Sequence, residues 1–205
     1  TIEAALQSVS PDIKFTSVES VGPKVSGELI QTAFLAVGGA LAAILIYIWL
    51  RFEWQFSVGA VVALFHDVIV VLGLFSLLQW PFDLTVLAAV LALIGYSLND
   101  SIVVADRIRD EFRNTRETDP EAIINGAVNQ TLTRTINTSL TTLLVLVALF
   151  FFGGEVMKAF SEALIVGVLV GTYSSIYVVT NILFMMKVTK EDFLIPEPEE
   201  LDETP

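Results

Sequence analysis

Asp100 lies within an otherwise apolar run, LTVLAAVLALIGYSLNDSIVVA (84–105). A lone carboxylate near the centre of a membrane helix costs about 2.5 to 3.5 kcal/mol to insert, so something must compensate it. The nearest obvious partner is Arg134, at the mouth of a second apolar run, TRTINTSLTTLLVLVALFFF (133–152). Burial favours the neutral acid and a nearby guanidinium favours the carboxylate; a group balanced between the two can load and release a proton. An asparagine would serve a purely structural hydrogen bond at lower cost, and an intramembrane acid is by default a step on an ion or proton path. Arg134 keeps its proton, so its part would be electrostatic. It could equally be an interfacial anchor snorkelling toward water, and the sequence leaves both readings open.

Other polar groups share these runs. Asn99 adjoins Asp100, while Tyr96 and Ser97 stand one turn earlier, where they are expected to hydrogen-bond its carboxyl group. His66-Asp67, with the chain's one histidine, sits mid-way along ALFHDVIV. It reads as a buried structural pair capping a neighbouring helix rather than a proton relay. The threonines at 131, 133, 135, 138, 141 and 142 could line a wet path, but small hydroxyl residues also let helices pack closely, and packing is the preferred reading. Gly167 and Gly171 give the last apolar run a small-xxx-small face.

No Walker loop, dinucleotide fingerprint, GxSxG or metal-spaced His/Cys/Glu cluster is present. With no cysteine, thiolate chemistry is also excluded. The sequence therefore predicts neither an enzyme nor a cofactor or metal site.

These residues must be positioned by membrane helices. The chain is 54% hydrophobic over 205 residues, with a mean hydropathy of +0.72. Five stretches can cross about 30 Å of hydrocarbon: 29–50, 56–78, 84–105, 136–152 and 159–186. The predicted class is an all-α polytopic membrane protein, with a transmembrane domain over 28–187 and a longer loop at 106–135. In that loop ADRIRDEFRN continues the third span as a charged helix, and Asp119 and Pro120 start a second helix suited to the membrane surface. Residues 1–27 read as a helix and strand, an α/β remnant of an extracytoplasmic domain, so the sequence is expected to be part of a longer chain. The net charge of −12 is partly a tail effect, since 7 of the 23 acids fall in EDFLIPEPEELDETP; residues 188–205 read as an acidic, disordered tail.

Eight of the eleven Lys and Arg (Arg51, Arg107, Arg109, Arg113, Arg116, Arg134, Lys187, Lys190) fall on one side. The positive-inside rule makes that side cytoplasmic. The N-terminal end is then periplasmic and the tail cytoplasmic. Basic residues confined to the membrane face make nucleic acid an unsuitable partner.

Several stretches in one order carry a resemblance: VESVGPKVSGEL (18–29), RFEWQFSVGAVVALFHDV (51–68), LIGYSLNDSIVVADRIRDEFR (93–113), RTINTSLTTLLVLVALFFFGG (134–154) and FSEALIVGVLVGTYSSIYV (160–178). Over 15–186 the chain resembles the SecF protein-export family, itself similar to resistance-nodulation-division (RND) transporters. The resemblance implies six spans with a large periplasmic domain between the first two, of which this sequence keeps the last five spans. It further implies a bacterial inner-membrane subunit that works with SecD beside the SecYEG channel and SecA. There it would use the proton motive force to complete the passage of unfolded secretory proteins, with membrane lipid around it. On the family's motifs, Asp100 in GYSLNDS and Arg134 in RTINTS match the proton-path residues, and the partner acid on SecD is absent here. The competing readings are an RND-type proton antiporter for a small molecule or lipid, and a purely structural subunit.

Overall fold

In hydrocarbon every backbone N–H and C=O must be satisfied within its own segment, which a helix does along a single chain. The computed structural model describes residues 31, 35, 38, 39, 42–50 and 54–193, and they are helical apart from short turns. The chain divides into two compact units, Thr1–Ala42 and Ala43–Pro205. In the first, the described residues 31, 35, 38, 39 and 42 are helical. The expected remnant at 1–27 lies outside the described residues, as does much of the first expected span.

In the second unit residues 43–50 are helical, and longer helices follow. They are α1, Trp54–Leu77, α2, Leu84–Asn114, α3, Pro120–Phe152, and α4, Gly154–Tyr173. Helix α4 passes through a π turn, Ser174–Val178, into α5, Val179–Met185. Among the described residues four helices are long and apolar enough to cross a membrane: α1, α2, α3 and the rod Gly154–Met185. The four expected spans after residue 55 fall on them.

The expected loop at 106–135 is corrected. The charged continuation of α2 and the Asp119-Pro120 start are both present; the Asp119 carboxylate accepts the Glu121 amide at 3.3 Å. The connection, however, is only residues 115–119, and the expected surface helix is the beginning of α3. At 1.5 Å per residue, these helices of 31 and 33 residues are about 46 to 50 Å long. Their charged ends, which exceed the about 30 Å of a hydrocarbon core, run side by side at the basic end. There Arg107 pairs with Glu111 at 3.3 Å and donates to Gln130, whose amide reaches Glu111 at 3.3 Å.

At the other end, α3 and α4 meet without a loop. Gly154 has φ +76°, a left-handed conformation that glycine adopts without a Cβ penalty. A Cβ on Gly153 would stand 2.4 Å from the Leu149 carbonyl. The start of α2 is capped by Asp83, which accepts Thr85 N at 2.9 Å, Thr85 Oγ1 at 2.6 Å and Val86 N at 2.9 Å. Partial burial acts to raise its pKa, but the Thr85 hydroxyl and the Val86 and Thr85 amides outweigh it and hold the carboxyl below its ordinary value. A folded value below the unfolded one means that the cap's contribution is complete above the ordinary carboxylate range and lost as pH falls through the folded value. Asp83→Ala is expected to lower stability by about 1 kcal/mol near neutral pH. Thermal unfolding at acid pH should then show no gap between variant and parent; a gap that persists would contradict this account.

Helix α2 is central, with half of its most apolar window buried against 17% for α3. Val86, Ala89, Leu93, Val104, Ile108 and Phe112 form its core stripe. Helix α4 comes closest at Gly167, where a Cβ would stand 2.7 Å from Leu93 Cδ1. Outer faces are apolar too: Phe65, Ile69 and Leu72 of α1 and Ile136, Leu140, Leu144 and Phe151 of α3 are exposed, as suits surfaces that face lipid or a partner subunit.

The tail expected over 188–205 is corrected at its start. Val188 and Phe193 are buried, and Lys190–Phe193 forms a 3₁₀ turn folded back on the basic end. The Phe193 ring lies 5.2 Å from Phe56 and 5.0 Å from Phe112. Its carbonyl accepts Arg113 Nε at 3.0 Å, and Lys190 Nζ donates to the Thr115 carbonyl at 2.5 Å. Residues 194–205 lie outside the described residues. Phe193→Ala is expected to cost about 3 to 5 kcal/mol, the range for a buried Phe. Thermal unfolding should rank truncation before Phe193 as equally harmful and truncation after it as mild; equal tolerance of both would show that the ring is not an anchor.

Candidate functional site

The polar residues of α2 recur at helical spacing, Ser97, Asp100 and Ser101, and all three are buried. Helices α1, α3 and α4 close around them. On the α1 side Asp67 has no exposed surface. Its Oδ2 accepts hydrogen bonds from Ser97 Oγ and from Ser174 Oγ at 2.8 Å, while His66 Nδ1 stands 3.0 Å from Oδ1. Gly171 makes room for this contact, since a Cβ there would lie 3.6 Å from Asp67 Oδ2 and 3.4 Å from Ser97 Cβ. The expectation that His66-Asp67 caps a helix is thus corrected: the buried acid joins α1 to α2 and the π turn through hydroxyl groups.

Asp100 is 5% exposed. Its Oδ2 is buried with no hydrogen-bond partner among the described residues, a condition that costs roughly 1 to 3 kcal/mol for a neutral group and more for a charged one. The Arg134 guanidinium is near enough to act on the carboxyl's charge, although no hydrogen bond or ion pair joins the two side chains. Arg134 itself is exposed on α3, and Asn99 is exposed on α2. Tyr96 and Ser97 do not bond Asp100 as the sequence suggested. Tyr96 OH donates to Ser139 Oγ at 3.3 Å, and Ser97 is turned to Asp67. On a helix the residues before an acid can reach it, but neighbouring helices offer these hydroxyls closer acceptors.

Three further hydroxyl contacts complete the seam: Ser139 with Thr172 at 2.6 Å, Ser101 with Ser175 at 3.2 Å, and Ser175 with the Gly171 carbonyl at 2.8 Å. Ser101, Ser139 and Thr172 were not singled out from the sequence, although Ser101 follows Ser97 at the four-residue spacing of one face. Along α3 the hydroxyls of Thr131, Thr138, Thr141 and Thr142 bond back to carbonyls of their own helix. That use suits a helix at lipid depth better than a wet path. A cavity of about 230 Å³ between α3 and α5, lined by Glu121, Ile124, Asn125, Thr180, Asn181 and Phe184, contains none of the candidate residues.

The seam therefore places two buried carboxyl groups about one helical turn apart in depth, one with both oxygens hydrogen-bonded and one with an unpartnered oxygen. Residues 1–189 match the family described as "Protein export membrane protein SecD/SecF, C-terminal". This chain belongs to that family. It is 52% identical to the protein translocase subunit SecF of Cereibacter sphaeroides over 189 residues, 92% of this chain and 58% of that protein. It is 49% identical to the Haemophilus influenzae SecF over 205 residues, all of this chain and 63% of that protein. The crystal structure of SecDF from Thermus, a translocon-associated membrane protein, superposes with a TM-score of 0.82 at 44% identity, covering 90% of this chain and 26% of that one. The chain thus spans about six-tenths of the length of these SecF relatives. SecD/SecF membership and, among the described residues, four span-like helices make it a multi-pass membrane protein.

Proposed function

We propose that this chain is the C-terminal membrane part of a SecF subunit that uses the proton motive force, together with SecD, to promote translocation through SecYEG with SecA. Asp100 is the proton carrier, and Arg134 is the charge that favours its ionised form. The single observation that supports this is the Asp100 carboxyl, buried in the central helix with one oxygen unpartnered and a guanidinium within electrostatic reach. In this Asp100 differs from Asp67, whose two oxygens both have hydrogen-bond partners.

The basic end is taken as cytoplasmic and the Asp83 end as periplasmic, in the bacterial inner membrane, because Lys and Arg are held on the cytoplasmic side. A reporter fused after Arg113 should therefore be cytoplasmic and one fused after Pro81 periplasmic; the opposite labelling would overturn the orientation. The function itself is tested in inverted inner-membrane vesicles carrying the full-length subunit with SecD. Gradient-dependent completion of precursor export should be present with the complex, absent without it, and lost when a protonophore collapses the gradient. Export that is stimulated equally with the gradient collapsed would leave only a structural subunit.

A further inference from the structure

Asp67 is the more deeply enclosed of the two acids and the reading above gives it no task. We infer that Asp67 is a second proton-binding site, with His66 as its link to the bundle surface and Ser174 as the group that senses its state. The inference rests on the proton-driven reading.

The geometry offers two complete hydrogen-bond patterns. With Asp67 ionised, its Oδ2 accepts both serine hydroxyls and its Oδ1 accepts from a protonated His66 Nδ1. The Ser174 Oγ, however, lies between two acceptors, 2.8 Å from Asp67 Oδ2 and 3.1 Å from the Gly171 carbonyl. When a proton binds on Oδ2, the acid donates to Ser174 Oγ, and the serine proton turns to the Gly171 carbonyl. Only O–H and N–H bonds change, and the Asp67 carboxyl and the Ser174 hydroxyl keep a partner in either state.

The Gly171 carbonyl lies at the α-to-π transition. It also accepts the Ser174 backbone N–H and the Ser175 hydroxyl at 2.8 Å, and Ser175 in turn meets Ser101, the neighbour of Asp100. Single π turns inside α-helices are frequent at functional sites. The proton on Asp67 is thereby read at the π turn between α4 and α5. From there the change in hydrogen bonding reaches, through the Ser175 and Ser101 hydroxyls, the segment of α2 that carries Asp100.

Access differs from that of Asp100. The His66 side chain is 34% exposed beside a fully enclosed Asp67, with its ring 6.5 Å from Tyr173. The groups facing Asp67 are His66 on α1, Ser97 with Asp100 a turn further along α2, and Ser174 with Tyr173 where α4 enters the π turn. The imidazole, the partly exposed titratable group among these, gives its Nδ1 proton to the carboxyl and regains one at the ring, and a half-turn of the carboxyl about Cβ–Cγ brings that proton to the oxygen facing Ser174.

Asp67→Asn separates this role from a structural one, because the amide oxygen still accepts a serine hydroxyl and the shape is kept, while the side chain no longer binds a proton. In full-length subunit with SecD, in vesicles, the variant should reach the parent's amount and keep export measured with the gradient collapsed, yet lose the gradient-dependent stimulation. Retained stimulation, with Asp100→Asn inactive, overturns this inference and leaves the proton-driven reading standing. Retained stimulation in both variants removes that reading as well. Should Asp67→Asn fail to accumulate, infrared difference spectra of the Asp100→Asn complex between acid and neutral pH decide. A protonated-carboxyl band that shifts on Ser174→Ala supports the site, and a band indifferent to Ser174→Ala, or no band, overturns it.

Discussion

Replacing Asp100 by asparagine is expected to abolish the gradient-dependent stimulation of export while leaving membrane insertion and association with the partner subunit intact. The amide occupies the carboxyl's volume. It places an NH₂ where Oδ2 already lacks a partner, so the added cost is that of one unpaired buried donor, roughly 1 to 3 kcal/mol. The bundle loses no packing, since Asp100 sits between buried Ser97 and Ser101 on a helix whose core stripe is apolar. What the amide cannot do is take up a proton from one side and release it to the other. Asp100→Glu adds a methylene to a close-packed seam and should be partly active at best. The measurement is precursor completion in inverted vesicles with the gradient on and off, normalised to the amount of subunit. Full stimulation by Asp100→Asn would sink the proton relay.

The polar seam was legible in the sequence only in part, and the reasons are physical. Asp100 and Arg134 announce themselves because a charge inside an apolar run is expensive, and the structure brings them within electrostatic reach. The helices carrying them were equally legible from hydropathy. The partners of the serines were not. Which acceptor Ser97 chooses depends on the rotation of α1 and α4 about their axes, and the small residues Gly171 and Ser174 set that rotation at a π turn no periodicity argument anticipates. The length of α3 was missed for a related reason. Its first turns are amphipathic and its last turns apolar all round, so the change in composition reads as a break in the helix. Phe193 was hidden by its surroundings, a lone aromatic in an acidic segment whose anchoring ring contacts, Phe56 and Phe112, are distant in sequence.

Arg134 poses the sharper question, because an interfacial anchor needs only a cation, whereas a charge that governs Asp100 must stay on and stay close. Arginine meets both needs with a planar fork that lysine's point charge does not reproduce. The structure leaves Arg134 exposed on the face of α3, and among the described residues no ion pair joins it to a carboxylate. Its influence on Asp100 is therefore a field rather than a bond. At an effective dielectric near 20, a unit charge 4 to 8 Å away is worth about 2 to 4 kcal/mol. A proton crossing about 100 mV yields about 2.3 kcal/mol, so a counter-charge at such a separation acts on the same scale as the driving force. Arg134→Lys should keep topology and lower gradient-dependent export, and Arg134→Ala should lower it further, because the carboxyl then gives up its proton less readily. Raising the pH on the cytoplasmic side should restore part of the activity of Arg134→Ala and none of that of Asp100→Asn, since only the former still has a proton to release. If Arg134→Ala exports normally at low proton motive force, the residue is an anchor and Asp100 must take its counter-charge from another subunit.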